Sequence, residues 1–537
     1  MASSHCNLVI VKRNWKNFLI IAIVACVYVL LLMTKDIQED AYITFRVAFN
    51  LAYHRVFSFN LDEQYSSVTS FLYPLGIAFF RLIFGGFAIP AVQVVNAVTM
   101  LGACWVFAKV LRGCFSISGG YQIQIWFLLA LLPQTLVLSV RSMEMPYVVF
   151  LFAVGLRWLQ VQTQKHQEKT NEVQGHGDKT LGLLVVGFLP FVRPDAVAFS
   201  LVLVGVAFFI RRMVAVWCMT AIIIGSAVYL MLNYILQGRV LPNTIAAKLI
   251  SYNAFSFSDL FNSWTAVMNE VAFPVDVKYL YSLKPLCGMV AVVIVGVLFR
   301  SLWKKKQEQI PILSGMVIAI FAIPSVYVVG GVIFPWYLWP SQFLCAGVIL
   351  GGIVYFISQQ KYLVVRRICW IMVIGSGLLM MSFQLMRSYN WGVMEGVYRT
   401  NIGKYLSRIS KSGDVLFLEP AGYIPYYSGL KTVDEIGLTS PIVLKYKKQS
   451  PQKWWINCVV KERPMFLVQR ENFVNYCTDQ GYKLTANEIV WFNRNYNIIK
   501  QFRYTPEEYT HNLFLLRLLR LSSTHDYYVF KLRESDG

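Results

Sequence analysis

The chain has 537 residues, of which 56% are hydrophobic and only 14% charged, with a mean hydropathy of +0.52. Soluble proteins carry roughly 25% charged residues, so a string of soluble domains is excluded and the bilayer must act as solvent for most of the chain. The net charge of +21 reads as Lys and Arg gathered at cytoplasmic span ends; no basic tail or stripe stands apart from the apolar segments, which argues against nucleic acid as a partner.

In chain order, Lys12, Arg13 and Lys16 precede an apolar run from Phe18 to Met33. No small-residue cleavage site follows it, so it reads as a retained first span with a cytoplasmic N-terminus. Further runs of spanning length are 90–111, 122–140, 146–160, 181–192, 195–210, 213–236, 285–302, 309–329, 335–357 and 368–385, eleven with the first. With that count the basic clusters Lys109/Arg112, Lys165 to Lys179, Arg211/Arg212, Lys304 to Lys306 and Arg366/Arg367 all fall inside. The apolar segment Phe71 to Phe87 breaks the alternation and is placed as a juxtamembrane or re-entrant helix on the outer face. The first outer loop (35–89), the turns at Arg141–Met145 and Arg193–Asp195, and the 237–284 loop then face outward.

The expected fold is therefore an all-α polytopic transmembrane domain over 1–385 and an extracytoplasmic α/β domain over 386–537. In the second domain, Asp414–Leu418, Pro464–Gln469 and Tyr527–Leu532 read as strands and Gly422–Gly429 as a turn and short helix. The ten Cys show no CxxC or Cys/His spacing for a metal. Cys458 and Cys477, in a polar region outside the cytoplasm, have a disulfide as one expectation.

Chemistry concentrates just past the first span, at Asp36, Glu39 and Asp40. Three carboxylates at a membrane exit are costly without a partner or a purpose. Adjacent carboxylates repel, which raises one pKa and suits it to accept a proton near neutral pH; the alternative is an ordinary solvated acidic turn.

The stretch Glu39-Asp-Ala-Tyr-Ile-Thr-Phe-Arg46, then Asn50-Leu-Ala52, Phe57-Ser-Phe-Asn60 and Ser66-Ser-Val-Thr-Ser-Phe71, resembles the first outer loop of GT-C glycosyltransferases, and is similar to the terminal β-arabinofuranosyltransferases of actinobacterial cell-wall assembly. Ser142-Met-Glu144, Arg193-Pro-Asp195, Leu241-Pro-Asn-Thr244 with Lys248, Gly422-Tyr-Ile-Pro-Tyr-Tyr-Ser-Gly429 and Asp434-Glu-Ile-Gly-Leu-Thr439 follow in the family's order. Glu39 stands where the family has the first Asp of a pair, and the Gly of its Ser-Gly-Met-Glu turn is missing.

The resemblance implies a multi-pass enzyme of a bacterial inner membrane, with juxtamembrane helices in its first outer loop. Such an enzyme moves a sugar from a polyprenyl-phosphate donor to a glycan or glycolipid acceptor on the outer face, with inversion. Asp40 is the expected base, with Glu39 and Glu144 as further catalytic candidates; Glu144 alternatively caps the following span. Charge developing on the departing lipid phosphate calls for cations, and Arg46, Arg193 and Lys248 are the outward candidates. Their alternatives are an interfacial anchor, a salt bridge to Asp195 and a solvated loop lysine, respectively. Tyr42, His54, Asn243, Thr244, Trp336 and Tyr337 are candidates for sugar or acceptor contacts. A structural role is the alternative for His54, an ordinary turn for Asn243 and Thr244, and an aromatic belt for Trp336 and Tyr337. Tyr423, Tyr426 and Tyr427 form either a carbohydrate platform or domain core. No cofactor is implied; Ca²⁺ or Mg²⁺ at the acidic loop is chemically reasonable, but no ligand set is complete. A flippase or transporter of lipid-linked saccharide, and a non-catalytic assembly scaffold, are the competing functions.

Overall fold

The computed structural model describes residues 2–63, 67–167, 176–240, 242–251, 296, 307–329, 334–471, 473–505 and 525–533. Helix α1 (Ala2–Met33) is followed by a short turn and by α2 (Glu39–His54), whose first-turn acids Glu39 and Asp40 sit favourably at the positive end of the helix dipole. Arg55 ends α2 in the left-handed conformation at φ 59°. Helix α3 (Leu72–Phe84) turns through Gly85, at φ 53°, into α4 (Ala88–Phe115). Helices α5 (Gln122–Ala130) and α6 (Pro133–Val140) meet at 64°, because Pro133 cannot continue the hydrogen-bond ladder and starts a new helix instead.

Helices α7 (Met145–Gln167), α8 (His176–Val192), α9 (Val197–Ile210), α10 (Arg212–Gln237) and α11 (Asn243–Ser251) follow, then α12 (Ile310–Val329), α13 (Trp339–Gln359) and α14 (Leu363–Trp391). The main core runs through α4, α7, α9, α12 and α13, with Phe107, Phe152, Phe199, Met316 and Phe343 fully buried. Between α8 and α10 the backbones touch: a Cβ on Gly225 would overlap the Gly187 carbonyl, the small-residue contact expected between helices packed in lipid.

Of the predicted spans, 285–302 lies outside the described residues apart from residue 296, 122–140 is the bent pair α5 and α6, and each of the others falls on a helix. Seven described helices are long and apolar enough to cross a membrane, or eight if the bent α5–α6 pair is one span. Those at Thr180–Val192 and Pro194–Ile210 are shorter, so the count of eleven is not established by length. The segment placed at 71–87 contains helix α3, which runs through a 3-10 turn into α4, so that Leu72–Phe115 together has the length and hydropathy of a span.

Helix α14 continues through a π-helical stretch, Gly392–Arg399, into α15 (Thr400–Ile409). This continuous helix delivers the C-terminal sheet. The strands are β1 (Val415–Leu418), β2 (Lys431–Asp434), β3 (Phe466–Gln469), β4 (Tyr496–Phe502) and β5 (Tyr527–Leu532), in spatial order β2-β1-β3-β5-β4. The first three are parallel and β5 runs antiparallel to both β3 and β4. Alternate residues face two cores: Phe417, Leu467 and Phe530 pack with Trp455 and Phe492, while Leu416, Leu418 and Val468 pack with Ile402 and Leu406 of α15. Strands β2 and β4 were not expected: β2 is only four residues of mixed polarity, and four of the seven β4 residues are exposed. Cys458 and Cys477 are both buried in the first of these cores with free thiols, so the expected disulfide is absent.

Candidate active site

The three acids that open α2 have separate fates. Asp36 is buried against Arg141, with Nε at 3.1 Å, and the Arg141 guanidinium lies over the rings of Trp339 and Trp391. Glu39 accepts from Arg399 at 2.8 Å and from the backbone N–H groups of Gly422 and Tyr423 at 2.7 and 3.0 Å. Both carboxylates are thereby charge-balanced and fixed. Asp40 has no hydrogen bond or ion pair among the described residues. Burial, reinforced by the nearby Glu39 and Glu144 carboxylates and opposed by Lys248 and Arg193, pushes its pKa up to about 6.

Two cavities meet at Asp40. The smaller, about 60 Å³, is bounded by Ser67 to Ser70, Glu144, Arg193, Thr244 and Tyr337. The larger, about 430 Å³, is walled by Trp336, Trp339 and Trp391 and by the charged groups Arg387, Glu395, Arg399 and Arg470. Asp40 and Lys248 line both. Lys248 donates to the Tyr337 hydroxyl, and no carboxylate lies within 4 Å of its ammonium among the described residues. Burial holds the Lys248 pKa below its usual value, against the pull of the Asp40 charge. A base that needs a proton and a cation that needs an anion thus share one boundary.

Behind them Arg193 makes four hydrogen bonds. It donates to Glu144 at 2.5 Å, to both oxygens of Asp195 at 2.8 and 3.2 Å, and to the Tyr327 hydroxyl at 2.9 Å. Tyr327 also donates to Asp195 and stacks on Tyr337, ring centroids 4.0 Å apart. The turns at 142–145 and 193–195 are therefore locked together, and Glu144 is aimed at the small cavity. Among the described residues no three His, Cys, Asp or Glu side chains converge as a metal-ion ligand set. Asp36 and Glu39 are each tied to an arginine, which leaves Asp40 as the acid of this loop without a partner among the described residues.

The fold has counterparts among solved structures. An ArnT from Cupriavidus metallidurans, in the apo state, aligns over 97% of this chain and 98% of its own with a TM-score of 0.53 at 10% identity. The same protein bound to undecaprenyl phosphate gives 0.50 at 9% identity over the same shares. The archaeal oligosaccharyltransferase AglB from Archaeoglobus fulgidus, in complex with an inhibitory peptide and a dolichol-phosphate, aligns over 97% of this chain and 74% of its own, with a TM-score of 0.55 at 10% identity. The chain has their fold, the GT-C fold. A family model described as "Domain of unknown function (DUF8728)" matches residues 388–528. By sequence, no curated protein matches the chain.

Within this GT-C fold the expected site residues divide. Asp40, Glu144, Arg193, Thr244, Lys248 and Tyr337 converge on the small cavity, and Glu39 and Trp336 line the large one. Arg46 does not reach either cavity: it donates to the carbonyls of Phe59, Pro425 and Leu430 at 2.9, 2.8 and 2.6 Å, clamping α2 to the C-terminal domain. Asn243 is likewise spent, donating to the carbonyls of Gly437 and Leu438. Tyr42 points away from Asp40 into a ring cluster with Tyr423, Tyr426 and Tyr427, where Tyr423 is fully buried as core. His54 is exposed at the far end of α2, outside both cavities. Leu241 and Ser66 lie outside the described residues.

Of the remaining cavity residues, Ser67, Glu395, Arg399 and Arg470 were not singled out, whereas Thr244 and Trp336 were. Ser67 and Thr244 each present a buried hydroxyl without a partner among the described residues at the small cavity, and Trp336 an unpartnered indole N–H at the large one. Ser67 sits inside the Ser66–Phe71 motif, which could have pointed to it. Arg399, Glu395 and Arg470 lie in segments without motif, and only the tertiary fold brings them to Asp40.

Proposed function

We propose that the chain is a membrane glycosyltransferase that moves a sugar from a polyprenyl-phosphate donor to a cell-envelope glycan or glycolipid, with inversion at the anomeric carbon. The observation that carries this reading is the unpartnered Asp40 carboxylate at the boundary of two cavities, beside the Lys248 ammonium. The fold shared with an ArnT that binds undecaprenyl phosphate and an AglB that binds dolichol-phosphate supports a lipid-phosphate donor. The enzyme lies in a bacterial inner membrane, N-terminus in the cytoplasm, with the Asp40 site and C-terminal domain outside.

In this reading the acceptor enters the larger cavity, where Trp336, Trp339 and Trp391 offer ring faces and an indole N–H to a saccharide. Asp40, deprotonated above about pH 6, takes the proton of the attacking hydroxyl. The new bond forms between that oxygen and the anomeric carbon as the bond from that carbon to the phosphate oxygen breaks. The electron pair leaves with the polyprenyl phosphate, whose added negative charge meets Lys248. Glu144, held by Arg193, is placed to accept hydrogen bonds from the transferred sugar, and the hydroxyls of Ser67 and Thr244 are open to it.

The test is transfer by the purified protein from a radiolabelled polyprenyl-phosphate sugar, compared with Asp40→Asn. Cells lacking the protein should accumulate a lipid-phosphate sugar and lack one residue of a surface glycan. Equal transfer by both proteins would sink the mechanism.

A further inference from the structure

On the other side of α2 lies a third cavity, about 530 Å³, which borders Tyr42 rather than Asp40. Its volume lies in the range of ligand pockets, roughly 300–1,000 Å³. Its chemistry differs from that of the Asp40 cavities. The lining carries two lysines, Lys35 and Lys404, and no Asp or Glu at all. Neither lysine has a carboxylate within 4 Å among the described residues, and Lys404 approaches only the Tyr427 ring, 5.9 Å from its centroid. Thr400, 7% exposed, lines the same cavity with its hydroxyl unpartnered among the described residues. The buried Thr400 hydroxyl lacks a partner, and the exposed Lys35 and Lys404 ammonium groups beside it carry no counter-charge among the described residues, so together the three offer donors to an anion.

The remaining walls are apolar and come from the ends of membrane-length helices. Met33 closes α1, and Ile89 and Val94 open α4. Met33 is 70% and Val94 47% exposed, and Phe87 beside them is 76% exposed, so the cavity opens onto a surface suited to hydrocarbon. The backbone is built to hold Lys35 there. Lys35 itself has φ 57°, and a Cβ on Gly392 would overlap the Thr34 carbonyl while one on Gly396 would stand 3.1 Å from the Lys35 carbonyl. Two glycines one turn apart thus let the π-helical stretch lie directly against the 34–35 turn. That stretch divides the two chemistries: Glu395 and Arg399 line the Asp40 cavity, and Gly396 and Val397, with Thr400 at the start of α15, line this one.

We propose that this cavity binds the phosphate headgroup of an anionic phospholipid from the surrounding bilayer, with Lys35, Lys404 and the Thr400 hydroxyl on the phosphate oxygens and the acyl chains against Met33, Ile89 and Val94. The two lysines more than neutralise the single negative charge of a phosphodiester, and the apolar rim selects a tailed ligand over a free anion.

The experiment is native mass spectrometry of the full chain released from detergent after incubation with palmitoyl-oleoyl-phosphatidylglycerol or, separately, palmitoyl-oleoyl-phosphatidylcholine. The expected result is preferential retention of phosphatidylglycerol by the wild type, reduced about tenfold in Lys35→Ala/Lys404→Ala and largely kept when both lysines become Arg. Glycerol 3-phosphate at the same concentration should not displace the lipid; displacement would overturn the assignment in favour of a free-anion site. A photoactivatable phosphatidylglycerol, read out on the wild type alone, should label peptides containing Lys35, Val94 or Thr400. Equal retention of both lipids, an unchanged double variant, or labelling confined to the Lys248 peptide would each overturn the proposal.

Discussion

The Glu39 carboxylate meets the Arg399 guanidinium at 2.8 Å across 360 residues of sequence, and this contact joins the start of α2 to the helix that carries the C-terminal sheet. Arg399 also pairs with Glu395, so one cation is shared by two acids. Replacing Arg399 by Ala leaves two carboxylates facing each other in a buried site, at a cost of about 3–5 kcal/mol. Glu39→Gln keeps an acceptor for the Gly422 and Tyr423 N–H groups and should cost only about 1–2 kcal/mol. Thermal melts in detergent measure both; an Arg399→Ala protein that melts with the wild type would show that the contact does not hold the two parts together.

Asp40→Asn should melt no lower than the wild type, and higher above about pH 6, because Asp40 has no partner to lose and its buried charge is costly, while transfer falls by about 10²–10⁴. The base acts only when deprotonated, and its pKa is pushed up to about 6. The logarithm of kcat/KM for the wild type should therefore rise with unit slope below about pH 6 and level off above it. Rates unchanged from pH 5 to 8 would point to another base.

Because Glu144 is one of the like charges that raise the Asp40 pKa, Glu144→Gln should move that acid limb to lower pH, by less than about one unit given the partial exposure of the site. The same change leaves the Arg193 N–H at 2.5 Å without an anionic acceptor, so a lower rate at the plateau should accompany the shift. The diagnostic is the displaced limb. A plateau loss with the limb in place would assign Glu144 to support of the 193–195 turn alone.

Lys248→Gln should lower transfer by about 10²-fold with a larger effect on donor KM than on stability, because the ammonium has no carboxylate partner to abandon among the described residues. Burial lowers the Lys248 pKa, so its charge is lost as pH rises and activity should decline on an alkaline limb. Lys248→Arg keeps the charge and should carry that limb to higher pH. An alkaline limb identical in Lys248→Gln and the wild type would remove Lys248 from the donor site.

Hydropathy and charge order made the helical bundle legible, because each lipid-facing helix must be apolar along its length. The start of α2 was legible as chemistry for the same reason: three acids beside a span are conspicuous. Their division of labour was not, since Arg141 and Arg399 lie 105 and 360 residues away from Asp36 and Glu39. Arg46 misled because a guanidinium near a base looks like a phosphate ligand, whereas here its donors go to backbone carbonyls that no sequence pattern marks. Motif residues such as Asn60, which pairs with the Thr432 backbone at the edge of β2, serve docking rather than catalysis. Sequence motifs record both roles alike, and only the geometry separates them.

The C-terminal domain contains a pH-dependent element of its own. Glu435, following β2, is 3% exposed and accepts from the Gln469 amide at 2.7 Å and from the Tyr476 hydroxyl. Those bonds lower its pKa, but burial outweighs them and pushes it up to about 7 from 4.5. Between these two values the folded chain holds a proton that the unfolded chain has released. Stability from this group is thus complete below about pH 4.5 and falls as pH rises through about 7, by about 3 kcal/mol in total at 1.4 kcal/mol per pH unit. Glu435→Gln keeps the size and an acceptor while removing the titration, so its melting temperature should match the wild type at pH 5 and exceed it at pH 8. A wild-type protein that gains stability from pH 5 to 8 relative to Glu435→Gln would mean the buried carboxylate is ionised and paired, with Lys447 the candidate partner because Asp434 and Glu435 both pull up a pKa that burial lowers to about 8.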